Sequence, residues 1–92
     1  MAGYETEEQA REGARMLISH LRIATENANG PAIGIEARKV QGAYLAGALK
    51  AAGVELGAFD DAIAGWLAGW EPETVQTVVR WIEAAAAGAA VR

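Results

Sequence analysis

Few side chains in this sequence could carry out acid–base or nucleophilic chemistry. The chain has one histidine, His20, one serine, Ser19, and no cysteine. A histidine can act as a general base near neutral pH, but no Glu-x-x-His or His-x-x-His spacing accompanies His20. The segment 30–34 lacks the Gly-Lys-Ser/Thr ending with which a phosphate loop holds phosphate and magnesium. We therefore predict no catalytic residue, no cofactor and no enzymatic activity, and interpret His20 as a boundary residue with a hydrogen-bond partner.

Carboxylates are the most frequent charged groups, and most have a structural explanation. Nine of the twelve acidic residues lie at or just before a predicted helix start: Glu5, Glu7, Glu8, Glu36, Glu55, Asp60, Asp61, Glu71 and Glu73. Negative charge is favourable there because the helix dipole is positive at that end. A carboxylate metal site would need ligands that converge from separate helices, and the spacing shows no such set. The sequence therefore predicts no metal ligand.

Three arginines fall on one stripe of the first predicted helix: Arg11, Arg15 and Arg22. The stripe could bind phosphate or an acidic partner. It could also be a solvated surface, since Glu7 and Arg11, and likewise Arg22 and Glu26, stand four residues apart and can pair. We favour the solvated surface, because neighbouring glutamates dilute the positive potential.

These side chains are placed on four predicted helices, at about 7–28, 35–52, 58–69 and 72–87. Thr6 and Gln9 form a capping-box pattern at the first start, and apolar residues then recur at helical spacing. A Gly-Pro pair at 30–31 ends that helix, and Pro72 begins the last one. No strand pattern of useful length occurs. The prediction is an all-α, compact four-helix domain spanning residues 1–92, with frayed ends at 1–5 and 89–92.

The third predicted helix is the least polar. Its apolar residues form an aromatic stripe at helical spacing: Phe59, Ile63, Trp66 and Trp70. Small residues, including Gly65 and Gly69, lie beside this stripe and would let another backbone come close. A helix that is apolar almost all round is expected to be central and buried, so we predict that Trp66 and Trp70 belong to the core.

Composition limits the size of the core and the cellular locations that the sequence allows. The chain is 52% hydrophobic, but 22 of those 48 residues are alanine, which leaves 26 large ones for a modest core. The first residues lack the basic and apolar regions of a signal peptide, and no apolar run is long enough to span a membrane. With no cysteine there is no disulfide or thiolate metal site. We expect a cytoplasmic protein that makes no membrane contact.

One functional hypothesis is a DNA-binding helix-turn-helix built from the third and fourth helices. The fourth helix would then present four side chains to bases and phosphates: Thr74, Gln76, Thr77 and Arg80. The charge opposes this hypothesis, because the formal net charge is −4 and carboxylates surround the proposed recognition helix. Neutralisation of phosphate charge supplies nearly all non-specific affinity for DNA. Nucleic acid is therefore kept only as the alternative partner.

The favoured hypothesis is a protein-interaction module, as a homodimer or as the accessory subunit of an unknown partner. Trp81 lies at the rim of the apolar face of the last helix, where burial and a contact role are both open, and tryptophan is common at interface anchors. Leu45 and Leu49 are displaced from the main apolar stripe of the second helix. Arg80 and Thr77, near Trp81, complete the predicted interface residues. A sedimentation mass equal to that of a monomer at tens of micromolar would count against the dimer.

The C-terminal part of the chain carries a recognisable string, Trp-Glu-Pro at 70–72, then Thr-Val at 74–75 and at 77–78, then Trp-Ile at 81–82. Over residues 62–87 it resembles the C-terminal motif of short, uncharacterised actinobacterial proteins, some of them on phage-like or mobile elements. The resemblance implies no activity and no site residues. Physically, the motif encodes a tryptophan followed by a helix that proline initiates.

Overall fold

The computed structural model describes residues 3–91, and these form five helices and no strand. The helices are α1 (Glu7–Gly13), α2 (Arg15–Thr25), α3 (Pro31–Ala51), α4 (Ala58–Leu67) and α5 (Pro72–Val91). The all-α class is confirmed. The number of helices is corrected from four to five.

The additional helix results from a break in the first predicted helix. Thr6 caps α1 by accepting a hydrogen bond from the Gln9 N–H at 3.1 Å, and the Gln9 side chain in turn accepts from Glu5 N–H. The predicted Thr6 cap is therefore present, but the Gln9 side chain bonds to the Glu5 N–H and not to the Thr6 N–H of the predicted capping box. The helix is interrupted at Ala14, directly after Gly13. Glycine is a weak helix former, and the Tyr4 hydroxyl occupies the space that a Cβ on Gly13 would need.

Other helix ends also differ from the prediction. The α3 helix begins at Pro31 rather than at about 35, because the fixed φ of proline suits the first helical position. The backbone of α5 remains helical through Gly88 to Val91, so this glycine does not end it. The predicted fraying at 1–5 and 89–92 falls partly outside the described residues, and within them Glu5 is held by its bond to Gln9.

A small core holds four of the helices together. Its fully buried members are Leu17 of α2, Leu45 of α3, Ala68 just after α4, and Val75 and Val79 of α5. Partly buried side chains pack around them, among them Leu21, Val40 and Tyr44. The core therefore joins α2, α3 and α5 most closely, and α4 contributes its C-terminal end.

The α4 helix lies at the outside of the molecule, where it packs mainly against α3. The aromatic stripe of α4, defined as Phe59, Ile63 and Trp66 of the helix together with Trp70 just beyond its end, is exposed: these residues are 78%, 43%, 60% and 48% accessible. The prediction that α4 is central and that Trp66 and Trp70 are core residues is wrong. Within the described chain, a single neighbouring helix covers only one side of α4.

The molecule is thin, and its surface is large for its mass. Its principal extents are 47 × 33 × 17 Å, so the thinnest dimension is less than two helix diameters of about 10–12 Å. The accessible surface is 6448 Å², whereas a compact monomer of this mass is expected to expose about 5,100 Å². Much apolar surface is thus left without a partner in one chain. None of the helices in the described region combines the length and apolarity needed to cross a membrane.

Candidate interaction surfaces

The buried amide of Gln41 fixes the end of α4. Gln41 lies on α3 and is only 3% exposed. Its Nε2 donates to two backbone carbonyls, those of Ala68 and Trp70, each at 2.7 Å. Both carbonyls lie beyond the last turn of α4, where backbone acceptors have no partner within the helix. One side chain of α3 therefore sets the position of α4 and of the aromatic stripe that it carries.

Side chains of the aromatic stripe contact one another, and an arginine lies at one end of the stripe. The rings of Trp66 and Trp70 meet edge to face, with centroids 5.6 Å apart, an arrangement that the ring quadrupoles favour. The Arg38 guanidinium covers Gly69, and a Cβ there would stand 2.7 Å from Arg38 Nη2. The stripe is thus a pre-formed apolar surface with a positive charge at its C-terminal end.

A second surface is an open groove of about 330 Å³ between α5 and the N-terminal segment with α1. Its apolar wall and floor come from Tyr4, Ala10, Val78 and Trp81. Tyr4 lies against Gly13 and against the Arg80 guanidinium. The guanidinium carbon is 4.9 Å from the Tyr4 ring centroid. We call this surface the Tyr4–Trp81 groove.

Carboxylates converge at one edge of this groove. Single oxygens of Glu7, Glu71 and Glu73 all lie within 4.8 Å of one another. Arg11 contacts two of these groups, Glu7 at 3.2 Å and Glu73 at 3.7 Å. Spacing in the sequence does not indicate this cluster, because Glu7 belongs to α1, Glu71 directly precedes α5 and Glu73 lies in its first turn. Carboxylates so close could hold a cation, although exposed acidic groups often cluster without one.

The proximity of these carboxylates changes their acidity. A hydrogen bond with the Glu73 side chain, together with the negative charges of Glu73 and Glu7, raises the pKa of Glu71 above its usual value. The positive charge of Arg11 acts in the opposite direction. Folding therefore favours the protonated form of Glu71.

Substitution of Glu71 by glutamine should raise the stability of the protein at neutral pH. A carboxyl whose pKa is raised by folding contributes stability below its unfolded pKa, and this contribution is lost as the pH rises through the folded pKa. The amide can still donate to Glu73 and carries no charge. Urea unfolding should show a higher midpoint for Glu71→Gln at neutral pH and no difference well below the usual glutamate pKa. A variant less stable at neutral pH would mean that interaction with the helix dipole outweighs the repulsion.

His20 has the partner that the sequence predicted for it. Its Nδ1 and the Tyr44 hydroxyl form a 2.6 Å hydrogen bond between α2 and α3, and the two rings meet edge to face. Burial raises the pKa of the Tyr44 phenol. The contact joins two helices, and no carboxylate takes part in it among the bonds of the described residues.

The arginine stripe of α1 and α2 is largely ion-paired. Arg11 pairs with Glu7, as predicted, and Arg15 pairs with Glu12 at 3.4 Å. The predicted pair between Arg22 and Glu26 is not formed in the described part of the chain. The pairing of two of the three arginines agrees with a solvated surface.

The structure places the predicted interface residues in different environments. Leu45 is 1% exposed and belongs to the chain's own core, which corrects its assignment to an interface. Leu49 is half-buried. Trp81 is 62% exposed and forms a wall of the Tyr4–Trp81 groove. Thr77 also lines this groove, and its hydroxyl donates to the Glu73 carbonyl, whereas Arg80 covers Tyr4.

The residues proposed to contact DNA do not form a basic surface. Thr74 and Thr77 line the Tyr4–Trp81 groove, Gln76 is half-buried, and Arg80 packs on Tyr4. The carboxylate cluster stands at the N-terminal end of α5, which would have to approach the phosphates. Repulsion there disfavours the helix-turn-helix hypothesis.

No protein-family model, no curated protein and no solved structure matches this chain at a significant level. The relation of the C-terminal motif to actinobacterial and phage-like proteins therefore stays a prediction. Any functional conclusion has to come from the surfaces described above.

Proposed function

We propose that this chain acts by protein–protein contact rather than by catalysis, as a cytoplasmic homodimer that pairs through the aromatic stripe of α4. The observation that carries the proposal is the exposure of four large apolar side chains along one side of α4 and the turn that follows it. The charged residues of α4, Asp60 and Asp61, both lie in its first turn. Contiguous apolar patches on a soluble protein mark interaction sites, and three of these four residues are aromatic, the type enriched in interface cores.

The exposed stripe supplies an area close to the lower limit for a specific dimer. A buried aromatic side chain removes about 150–250 Å² from water, so the exposed parts of the stripe amount to about 400–500 Å² per copy. Two copies would bury about 800–1,000 Å², close to the lower limit of about 1,000 Å² for a specific interface. The flank beside the stripe adds to this area, because nothing lies within 4 Å of the position that a Cβ on Gly65 would take.

Substitution of Trp66 by glutamate should abolish the dimer. Equilibrium sedimentation of the wild-type chain should show a monomer–dimer equilibrium with a dissociation constant in the micromolar range, as suits an interface near the lower size limit. A carboxylate in the middle of the stripe would have to be desolvated without a partner. Trp66→Glu should therefore sediment as a monomer at every concentration, with an unchanged circular dichroism spectrum.

Trp81→Glu is the matched control, because Trp81 is as exposed as Trp66 but lies on α5. It should keep the wild-type dissociation constant. A wild-type chain that remains monomeric throughout the micromolar range would refute the homodimer. Loss of the dimer in Trp81→Glu but not in Trp66→Glu would move the interface to α5.

A further inference from the structure

We propose that the Tyr4–Trp81 groove binds a basic peptide segment of another protein, with arginine or lysine side chains set against Trp81 and the groove's carboxylates. This site lies on α1 and α5 and is separate from the aromatic stripe of α4. The proposal does not depend on the chain being a dimer.

The groove has the form of a peptide-binding surface. Thr74, Thr77, Val78 and Trp81 follow the spacing i, i+3, i+4, i+7 and so share one face of α5. The N-terminal segment with Tyr4 forms the opposite wall, and Gly13 and Arg80 fix the Tyr4 ring. A volume of about 330 Å³ is enough for a few side chains of a ligand. Trp81 remains exposed beside this space and can form a contact that the chain itself does not make.

The charge of the groove selects the occupant. Three of its lining residues are glutamates, namely Glu5, Glu7 and Glu73, and none is lysine or arginine. Glu71 stands next to them. The cations nearby are Arg11, which is shared between Glu7 and Glu73, and Arg80, which covers Tyr4. Four carboxylates against two arginines leave a negative surface.

The combination of an exposed indole with carboxylates suits a cationic side chain better than an apolar one. A guanidinium or ammonium group can lie over the Trp81 ring and gain cation–π attraction, while its N–H groups donate to the glutamates. Apolar side chains of the same segment can contact Ala10 and Val78 on the floor. An acidic peptide would meet repulsion from every charged residue that lines the groove.

The probe is a capped hexapeptide of alternating arginine and leucine, titrated into the full ¹⁵N-labelled chain at physiological salt. We expect chemical-shift changes in residues 4–10 and 73–81 and in the Trp81 indole N–H. The Trp66 and Trp70 indoles should not move. A hexapeptide of alternating glutamate and leucine should cause no change.

Two pairs of variants separate specific binding from general attraction to an acidic protein. Trp81→Ala should weaken binding about fivefold or more, whereas Trp66→Ala, from an equally exposed position, should leave it unchanged. Glu7→Gln should weaken binding, whereas Glu55→Gln, which removes the same charge from the α3–α4 loop, should not. Circular dichroism establishes that each variant folds.

Three outcomes would overturn the proposal: no shift at millimolar peptide, shifts spread over acidic residues outside the groove, or equal effects of the two variants in either pair. A different measurement tests the proposed dimer. Sedimentation reports on Trp66, and the peptide titration reports on Trp81, so each proposal can be rejected while the other stands.

Discussion

Replacement of Leu45 by alanine is expected to destabilise the protein by about 3 kcal/mol, the usual range for a leucine removed from a packed core. Leu45 is 1% exposed and packs with Leu17, Ala68, Val75 and Val79. Domains of this size are stable by only about 5–14 kcal/mol, so the loss is a large fraction of the total. Urea unfolding followed by far-ultraviolet circular dichroism measures it directly, and the melting temperature should fall by about 10–20 °C.

Leu49→Ala is the control for this substitution. Leu49 lies one turn further along α3 and is only half-buried, so we expect it to cost about 1 kcal/mol. Equal losses for the two variants would contradict the position of Leu45 at the centre of the core. If Leu45→Ala changed the sedimentation mass and not the unfolding midpoint, Leu45 would be an interface residue after all.

Replacement of Gln41 by methionine should have the second large effect. Methionine has nearly the same shape, so it leaves no cavity, but it cannot donate to the carbonyls of Ala68 and Trp70. Each buried polar group that loses its partner costs about 1–3 kcal/mol. Because the bond to Trp70 is only partly buried, water can replace it in part, and we expect a loss of about 2 kcal/mol.

The same substitution should loosen α4 more than the other helices. Hydrogen exchange at its amides should become faster while the amides of α2 and α5 keep their relative protection, because Gln41 is the side chain that ties this end of α4 to α3. Gln76→Met is the matched change on α5, where the glutamine makes no hydrogen bond among the described residues, and it should alter stability by less than about 0.5 kcal/mol. Similar losses in both variants would show that the buried amide does not hold α4.

Local signals in the sequence located most of the helices. Pro72 marks the start of α5 and the Thr6 cap begins α1, whereas Pro31, interpreted only as the end of the first helix, in fact begins α3. Helical spacing also identified the aromatic stripe of α4 as one continuous face. Periodicity reports which residues share a face and does not report whether another helix covers it. That limitation explains why Trp66 and Trp70 were predicted to be buried although α4 has a neighbour on one side only.

The carboxylate cluster and the groove show the same limitation for sites. Glu7 and Glu73 are 66 positions apart, and each is accounted for by its own helix start, so no local rule brings them together. Tyr4 is also unremarkable in the sequence, and its place between Gly13 and Arg80 depends on how the N-terminal segment crosses α5. The useful signal was the position of Trp81 at the rim of an apolar face, which left burial and a contact role both open, and its 62% exposure excludes burial within the chain.

The sequence by itself determined the helical class, the starts of α1, α4 and α5 and the faces on which the large apolar side chains stand, because caps, prolines and periodicity act over a few residues. The sequence also indicated that His20 is a structural residue with a hydrogen-bond partner, and its hydrogen bond to Tyr44 agrees with that interpretation. Only the tertiary structure decided which apolar face is covered, that Leu45 is core while the α4 stripe is open, and that carboxylates of α1 and α5 meet at one groove. Those outcomes depend on the packing of distant segments around a core too small to cover every apolar face.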